Sequence, residues 1–310
     1  NWESKLLQSY SSDLAIDQKI NASDAIKQLS TLFGNMDTIQ NAVGASLMNG
    51  TVLYHIHLLR KLLKWKKQNG KYIKQWLQVI GQFESFICFA NFKQNNPQYI
   101  FPKINDDQIY SFSSLGHPMI NEKDRVSSDV DFSENNFVVL TGSNMSGKST
   151  FLRSLGINIV LSKAGSVVCA DKANVDLLDL RVSMRSTDSL SDNESYFFAE
   201  VKRLQGIMKH AKNNTCFILL DEILRGTNSD DKRNGTIKFI EKLIQHNTIG
   251  VIATHDLEVC NTTDKYPNYL ANKCFEVDII NDQLVFDYKL REGICQNQSA
   301  TFLMEKNGII

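Results

Sequence analysis

The apolar run Phe137, Val138, Val139, Leu140 breaks off at Thr141 into a stretch that no buried strand could continue, TGSNMSGKST. Four residues separate Gly142 from Gly147, and Lys148, Ser149 and Thr150 follow. This is the spacing of a loop whose backbone N–H groups wrap an anionic phosphate chain; a Cβ at its tightest positions would block that approach. The next segment, STFLRSLGINIVLSKAG, is apolar at helical spacing, so a helix N-terminus is expected to face the same phosphates. The alternative, a plain glycine-rich turn, requires neither the strand before nor the helix after. Gly142, Ser143, Asn144, Met145, Ser146, Gly147, Lys148, Ser149 and Thr150 are therefore the expected nucleotide-binding residues.

The rest of the chain divides by pattern. Residues 1 to about 95 read as helical throughout, with apolar residues three and four apart in DAIKQLSTLF, GTVLYHIHLLRKLLKWKKQ and YIKQWLQVIGQFESFICFANF. The first proline is Pro97, in the polar break KQNNPQYIFP, and the domain boundary is expected there: a helical domain over 1–97 and a second domain over 98–310. Beyond it, strands are predicted at 137–140, 216–220 and 248–254, an extended run at 175–185, and two strands within 274–290 joined at Asn281-Asp282. Helices are predicted at 148–162, 194–212 and 231–245, with a short one in SATFLMEKNG. Continuous apolar strands between helices indicate an α/β fold with a largely parallel sheet covered on both faces.

Composition narrows the classes. With 310 residues and 42% hydrophobic content the chain can bury a sizeable core. No run of eighteen apolar residues occurs, so no membrane span is expected. The six cysteines are scattered with no C-x-x-C pair, which fits reduced core thiols of a cytoplasmic protein and not a disulfide or metal framework. The chain begins with Asn1, not Met, and is read as a fragment or processed form. Net charge is zero, yet residues 1–105 carry twelve basic and six acidic residues, so the remainder is acidic. Seven of those basic residues fall between Arg60 and Lys74. The first reading is a solvated helix face with Leu62, Leu63 and Trp65 turned inward; the second is a contact to nucleic acid.

Two further strand ends carry chemistry. CFILL runs into Asp221 and Glu222, and in a parallel sheet the C-terminal strand ends gather at the ligand crevice. Asp221 fits a carboxylate that holds Mg²⁺ through water, with Ser149 as a direct ligand, and Glu222 fits the group that polarises an attacking water. The run IGVIAT ends at His255, which could meet a γ-phosphate or that water. The bland alternatives are an exposed acidic pair and a satisfied loop histidine.

These motifs together resemble the ATPase domain of the MutS family, DNA mismatch-repair relatives of the ABC ATPases. The family loop T-G-x-N-M-x-G-K-S-T is matched by Thr141–Thr150, S-x-F-x-x-E by Ser195–Glu200, D-E-x-x-R-G-T by Asp221–Thr227, A-T-H by Ala253–His255, and an early H-P by His117-Pro118. The resemblance covers residues 110–305. It implies a P-loop NTPase of ABC type preceded by an α-helical domain, ATP and Mg²⁺ as cofactors, and a dimer. In that dimer Ser195 acts in trans on the partner's γ-phosphate, and the cycle moves domains that act on DNA. Ser143 and Ser146 stand where many family members have Pro and Gly, and the loop after the acidic pair is longer, so the chain is read as a divergent paralogue. QFES places Phe83 and Glu84 side by side, which does not match the Phe-x-Glu mismatch wedge. The expected function is Mg²⁺-dependent ATP hydrolysis; the alternatives are a nucleotide-gated scaffold and a P-loop phosphotransferase.

Overall fold

The structure, a computed structural model, describes residues 4–17, 20–37, 42–184, 196–280, 283–296 and 304. The chain forms two compact units, Asn1–Asn91 and Phe92–Ile310.

In the first unit the elements are α1 (Lys5–Asp13), β1 (Ala15–Asp17), β2 (Ile20–Asn21), α2 (Ala22–Asp37), α3 (Ala42–Val52), α4 (Tyr54–Asn69) and α5 (Ile73–Asn95), the last running on into the second unit. The short antiparallel β1–β2 pair interrupts what the sequence pattern reads as wholly helical. A small core gathers Ala22 and Ala25 of α2, Trp65 of α4 and Trp76 of α5. The Trp65 indole N–H donates to the Ala25 carbonyl at 2.8 Å, so this large ring is buried with its polar edge satisfied. Leu63 departs from expectation: it is 55% exposed, while Leu58, Trp65 and Asn69 form the buried stripe of α4. At 100° per residue, Leu63 lies far around the helix from Trp65.

The second unit is mixed α/β. Its elements are β3 (Lys103–Asn105), β4 (Ser111–Leu115), β5 (Ser128–Asp131), β6 (Phe137–Gly142), α6 (Lys148–Lys163), β7 (Lys172–Asp176), β8 (Asp179–Ser183), α7 (Tyr196–Ala211), β9 (Cys216–Asp221), α8 (Ser229–Ile244), β10 (Ile249–Ala253), α9 (Thr262–Lys265), β11 (Leu270–Phe275), β12 (Asp278–Ile280), β13 (Gln283–Val285) and β14 (Leu290–Glu292). Among the described residues six strands form the main sheet in the order β14-β11-β6-β10-β9-β8. Every pairing in it is parallel except β11 with the edge strand β14.

Alternation along the strands decides what each face buries. Val138 and Leu140 of β6, Phe217 and Leu219 of β9, and Val251 of β10 join one core with Leu152, Leu155 and Ile159 of α6. Phe137, Val139, Ile218, Leu220 and Ile252 point the other way, into a second core with Leu204 and Ile207 of α7 and Ile240 and Leu243 of α8. Both faces are covered, which is why these strands read as unbroken apolar runs.

The sequence pattern misses a second sheet. Strands β3, β7, β4 and β5 form it, with β3 parallel to β7 and the other pairs antiparallel. The single extended run expected over 175–185 is thus two strands in different sheets. The two strands expected over 274–290 are also more divided: β11 ends at Phe275, β12 and β13 pair as a small ribbon, and β14 returns to the main sheet. Asn281, Asp282 and nearly all of the short helix expected in SATFLMEKNG lie outside the described residues.

Candidate functional site

The site is built where three adjacent parallel strands end. Strand β6 is buried along its whole length and delivers Gly142; β9 delivers Asp221; β10 stops two residues before His255. Gly142 cannot be replaced in this geometry, since a Cβ there would stand 2.6 Å from Ser146 Oγ and 2.8 Å from the Phe275 carbonyl oxygen. Gly147, with φ +111°, turns the loop into α6, and no side chain caps that helix. The first-turn N–H groups are left for an anion.

Lys148 is buried, and its ammonium donates to the carbonyls of Gly142 at 2.7 Å and Ser143 at 2.8 Å. Burial pushes its pKa down, and the carboxylates of Glu222 and Asp221 partly offset that. Ser149 Oγ donates to Asp221 Oδ2 at 2.7 Å. The other Asp221 oxygen, Oδ1, is buried with no hydrogen-bond partner in the protein, and so is the Ser146 hydroxyl.

Glu222 sits at the centre of a charged cluster. Its Oε1 is 2.5 Å from His255 Nε2, and its Oε2 is 2.8 Å from the Arg225 guanidinium. Its backbone takes a left-handed φ of +46°, and its N–H donates to the Ala253 carbonyl at the end of β10. Burial raises its carboxyl, but the His255 hydrogen bond and the charges of His255, Arg225 and Lys148 outweigh that and hold it at about 2. His255 also brings Nδ1 to 3.5 Å from the Lys148 ammonium. Phosphate loop, acidic pair and histidine thus meet at one place.

Ser195 lies outside the described residues; α7 starts at the next residue. The far end of the same motif is described. Glu200 is buried, and its carboxylate accepts the Arg225 backbone N–H at 3.1 Å. Burial raises its pKa, partly offset by the Arg225 and Leu224 N–H groups. The signature helix is thereby tied to the loop that follows the acidic pair. The polar turn Gly226, Thr227, Asn228 leads into α8, where the Asn228 side chain caps the helix by accepting the Asp231 N–H at 2.7 Å.

Sequence reasoning missed three contributors. Arg225 clamps Glu222, and its position three residues on within the D-E-x-x-R motif was an available signal. Phe275 and Tyr288 line the same cleft as the phosphate loop, a space of about 680 Å³ that Ile120, Asp124 and Val126 close on another side. These last residues carry no local signal, since they come from separate strands and loops brought together by the fold. The arrangement offers an apolar-walled cleft beside a polyanion cradle, with a hydroxyl–carboxylate pair and a held glutamate at the phosphate end.

Comparison with known proteins gives the same direction. The family model described as MutS domain V matches residues 138–307. The chain is 32% identical over 205 residues to the DNA mismatch repair protein MutS of Finegoldia magna, covering 63% of this chain and 24% of that protein. It is 28% identical over 259 residues to the MutS protein homolog 4 of Homo sapiens, covering 79% and 25%. With the DNA mismatch repair protein MutS of Prochlorococcus marinus (strain MIT 9312) it shares 32% over 249 residues, covering 75% and 27%. The chain spans about a quarter of the length of these relatives. On the family match across more than half its length, and on the loop, acidic pair and histidine that meet within that match, this chain belongs to the MutS family.

Proposed function

We propose that residues 98–310 are an ABC-type P-loop ATPase domain that hydrolyses ATP with Mg²⁺, and that 1–97 are the attached helical core and lever part. The observation that carries this reading is the meeting of Ser149–Asp221 and Glu222–His255 at the mouth of the glycine loop. The residues fit a divalent cation: Asp221 Oδ1 is a buried carboxylate oxygen without a partner, beside a serine hydroxyl at the phosphate loop. Ser149 and Asp221 would hold Mg²⁺, which supplies charge neutralisation at the β- and γ-phosphates. Loop N–H groups and Lys148 bind the phosphates. Phe275, Tyr288, Ile120 and Val126 offer apolar walls for a base. Glu222, with a pKa of about 2, stays ionised at neutral pH and acts as a fixed acceptor that orients water, while His255 and Arg225 hold it in place.

In this reading the working unit is a dimer in which Ser195 of each copy completes the other's site. Relatives named as DNA mismatch repair proteins favour coupling of the cycle to DNA. The test is multiple-turnover phosphate release. Lys148→Ala should lose ATP binding by calorimetry. Glu222→Gln should keep it and slow turnover by about 10²–10⁴-fold. Near-normal ATP affinity in the lysine variant would sink the nucleotide assignment; unchanged turnover in the glutamine variant would move the water-orienting role to His255.

A further inference from the structure

An arginine stands on the inner stripe of α8. The buried residues of this helix are Thr236, Ile240 and Leu243, and Arg233 precedes Thr236 by three positions and Ile240 by seven, which puts it on the same face. Arginine is rarely set on a core-facing stripe unless its guanidinium is paired. Here its Nε–H donates to Asp256 Oδ2 at 2.9 Å. One terminal nitrogen lies 2.9 Å from Glu258 Oε2 and 3.7 Å from Asp230 Oδ1. None of these residues belongs to the phosphate loop or the acidic pair.

Asp256 directly follows His255 in the chain. Its second oxygen, Oδ1, accepts the Glu258 N–H at 3.0 Å and so caps the short 3₁₀ helix Leu257–Asn261. Its own N–H donates to Thr254 Oγ1 at 3.0 Å. On the other side of His255, the buried Thr254 donates its N–H to the Leu140 carbonyl of β6 at 2.9 Å. The histidine is therefore strung between two anchors, β6 before it and Arg233 of α8 after it. The same helix holds the segment of the acidic pair. A Cβ at Gly235 would stand 2.5 Å from Leu224 Cδ1, so Leu224, two residues after Glu222, lies against α8 where only glycine leaves it room. Helix α8 thus touches both of the segments that bring His255 Nε2 to 2.5 Å from Glu222 Oε1.

We infer, on the reading of the site proposed above, that Arg233 is a positioning residue for hydrolysis: through Asp256 it fixes His255 against the water-orienting Glu222. Stability is not the main product of such a pair, since partly exposed ion pairs contribute little to it. Position is. The Arg233 and Asp256 side chains are 29% and 20% exposed, so the contact is partly shielded from water, and the guanidinium meets two carboxylates of the histidine's own segment. A shift of about 1 Å in a group at a reacting centre can cost about 10²-fold in rate. Loss of Arg233 frees the segment after His255 from α8 while the phosphate loop, with Lys148 and Ser149, keeps all of its own contacts.

The test uses the full chain with Arg233→Ala, Arg233→Lys, Asp256→Asn and His255→Ala. Hydrogen exchange read by mass spectrometry, without nucleotide, comes first. Arg233→Ala should exchange the amides of 254–261 at least about threefold faster, while those of β9 keep their native rate. In multiple-turnover phosphate release it should lower kcat about tenfold or more and change KM less than about twofold. Arg233→Lys should recover part of the loss, because an ammonium keeps the charge without the planar fork. In the His255→Ala background, Arg233→Ala should change kcat by less than about twofold, since nothing is left for it to position. A purely structural arginine would instead lower kcat in both backgrounds, and the stoichiometry of ATP binding with it. Asp256→Asn removes the partner's charge and keeps its shape, so it should reproduce the exchange and kcat changes even if Arg233→Ala fails to fold. Native exchange over 254–261 in both variants, or a loss in kcat that simply adds to that of His255→Ala, overturns the inference. A native chain without turnover, or His255→Ala without effect on it, defeats the proposed function instead, and the exchange rates then decide whether Arg233 holds the histidine's segment.

Discussion

Glu222 shows how a single side chain is prepared by its surroundings. Its two oxygens meet the His255 ring and the Arg225 guanidinium, and its backbone takes a left-handed conformation with the N–H donated to the Ala253 carbonyl. Its folded pKa of about 2 lies below the ordinary 4.5, so its ion pairs stabilise the fold fully above the unfolded value. That stabilisation is lost as pH falls through about 2. The stability difference between the native chain and Glu222→Gln should therefore shrink between pH 5 and pH 2, measured by denaturant unfolding. A difference that stays constant across that range would show that the carboxyl is not held down. The same geometry predicts that Arg225→Ala weakens turnover more than nucleotide binding, because the Arg225 guanidinium is paired with the Glu222 carboxylate and also donates to the Glu222 carbonyl. Equal losses in KM and kcat would assign Arg225 to binding instead.

At the scale of elements, the central strands are packed too closely for most side chains at one point. Strand β10 lies between β6 and β9, and a Cβ at Gly250 would stand 2.0 Å from the Ile218 carbonyl oxygen. The obstacle is backbone, so it cannot move aside as a side-chain tip would. Gly250→Ala should cost about 1–3 kcal/mol or more, seen as a lower melting temperature, and should also disturb the site, since β10 leads into His255. An unchanged melting point would mean that the strand spacing differs from that described. Helix α8 is easier to perturb selectively. Removing its cap with Asn228→Ala should cost about 1 kcal/mol, read by the same unfolding measurement.

At the scale of the whole molecule, the proposed mechanism needs two chains. If Ser195 acts in trans, a Ser195 variant and a Lys148 variant should each be inactive alone and recover activity on mixing. One of the two heterodimer sites then has both groups intact, so recovery is bounded at half the sites of that fraction. The residues beyond 105 are net acidic, so closure of two copies must be offset by nucleotide and metal contacts. Self-association should accordingly strengthen with ATP, most in Glu222→Gln. No recovery, with a monomer at saturating ATP in sedimentation, would leave only the nucleotide-binding proposal standing. The basic face of α4 poses a separate test. Lys64, Lys66 and Lys67 are exposed, and their reversal should weaken DNA binding to all sequences alike and flatten its salt dependence if they contact phosphates. Indifference to both would leave them a solvated face.

The sequence alone determined whatever depends on near neighbours along the chain. Gly142 to Thr150 is a contiguous loop between a strand and a helix, so its form followed from local spacing and backbone sterics. The buried strands β6, β9 and β10 were legible because burial on both faces removes the polar alternation, and α6 and α8 because their apolar spacing is helical. Asp221, Glu222 and His255 could be placed at strand ends by the same logic. Strands β3, β4 and β5 were not legible, since they are short, half-buried and held by pairing with the distant β7 and with one another. Only the tertiary structure decided that Arg225 and His255 grip opposite oxygens of Glu222, that Glu200 is tied to the Arg225 N–H, and that Phe275 and Tyr288 wall the cleft. Apart from the Arg225–Glu222 pair, three residues apart, those contacts join residues tens of positions apart. Their energies depend on burial and distance, which no local pattern encodes.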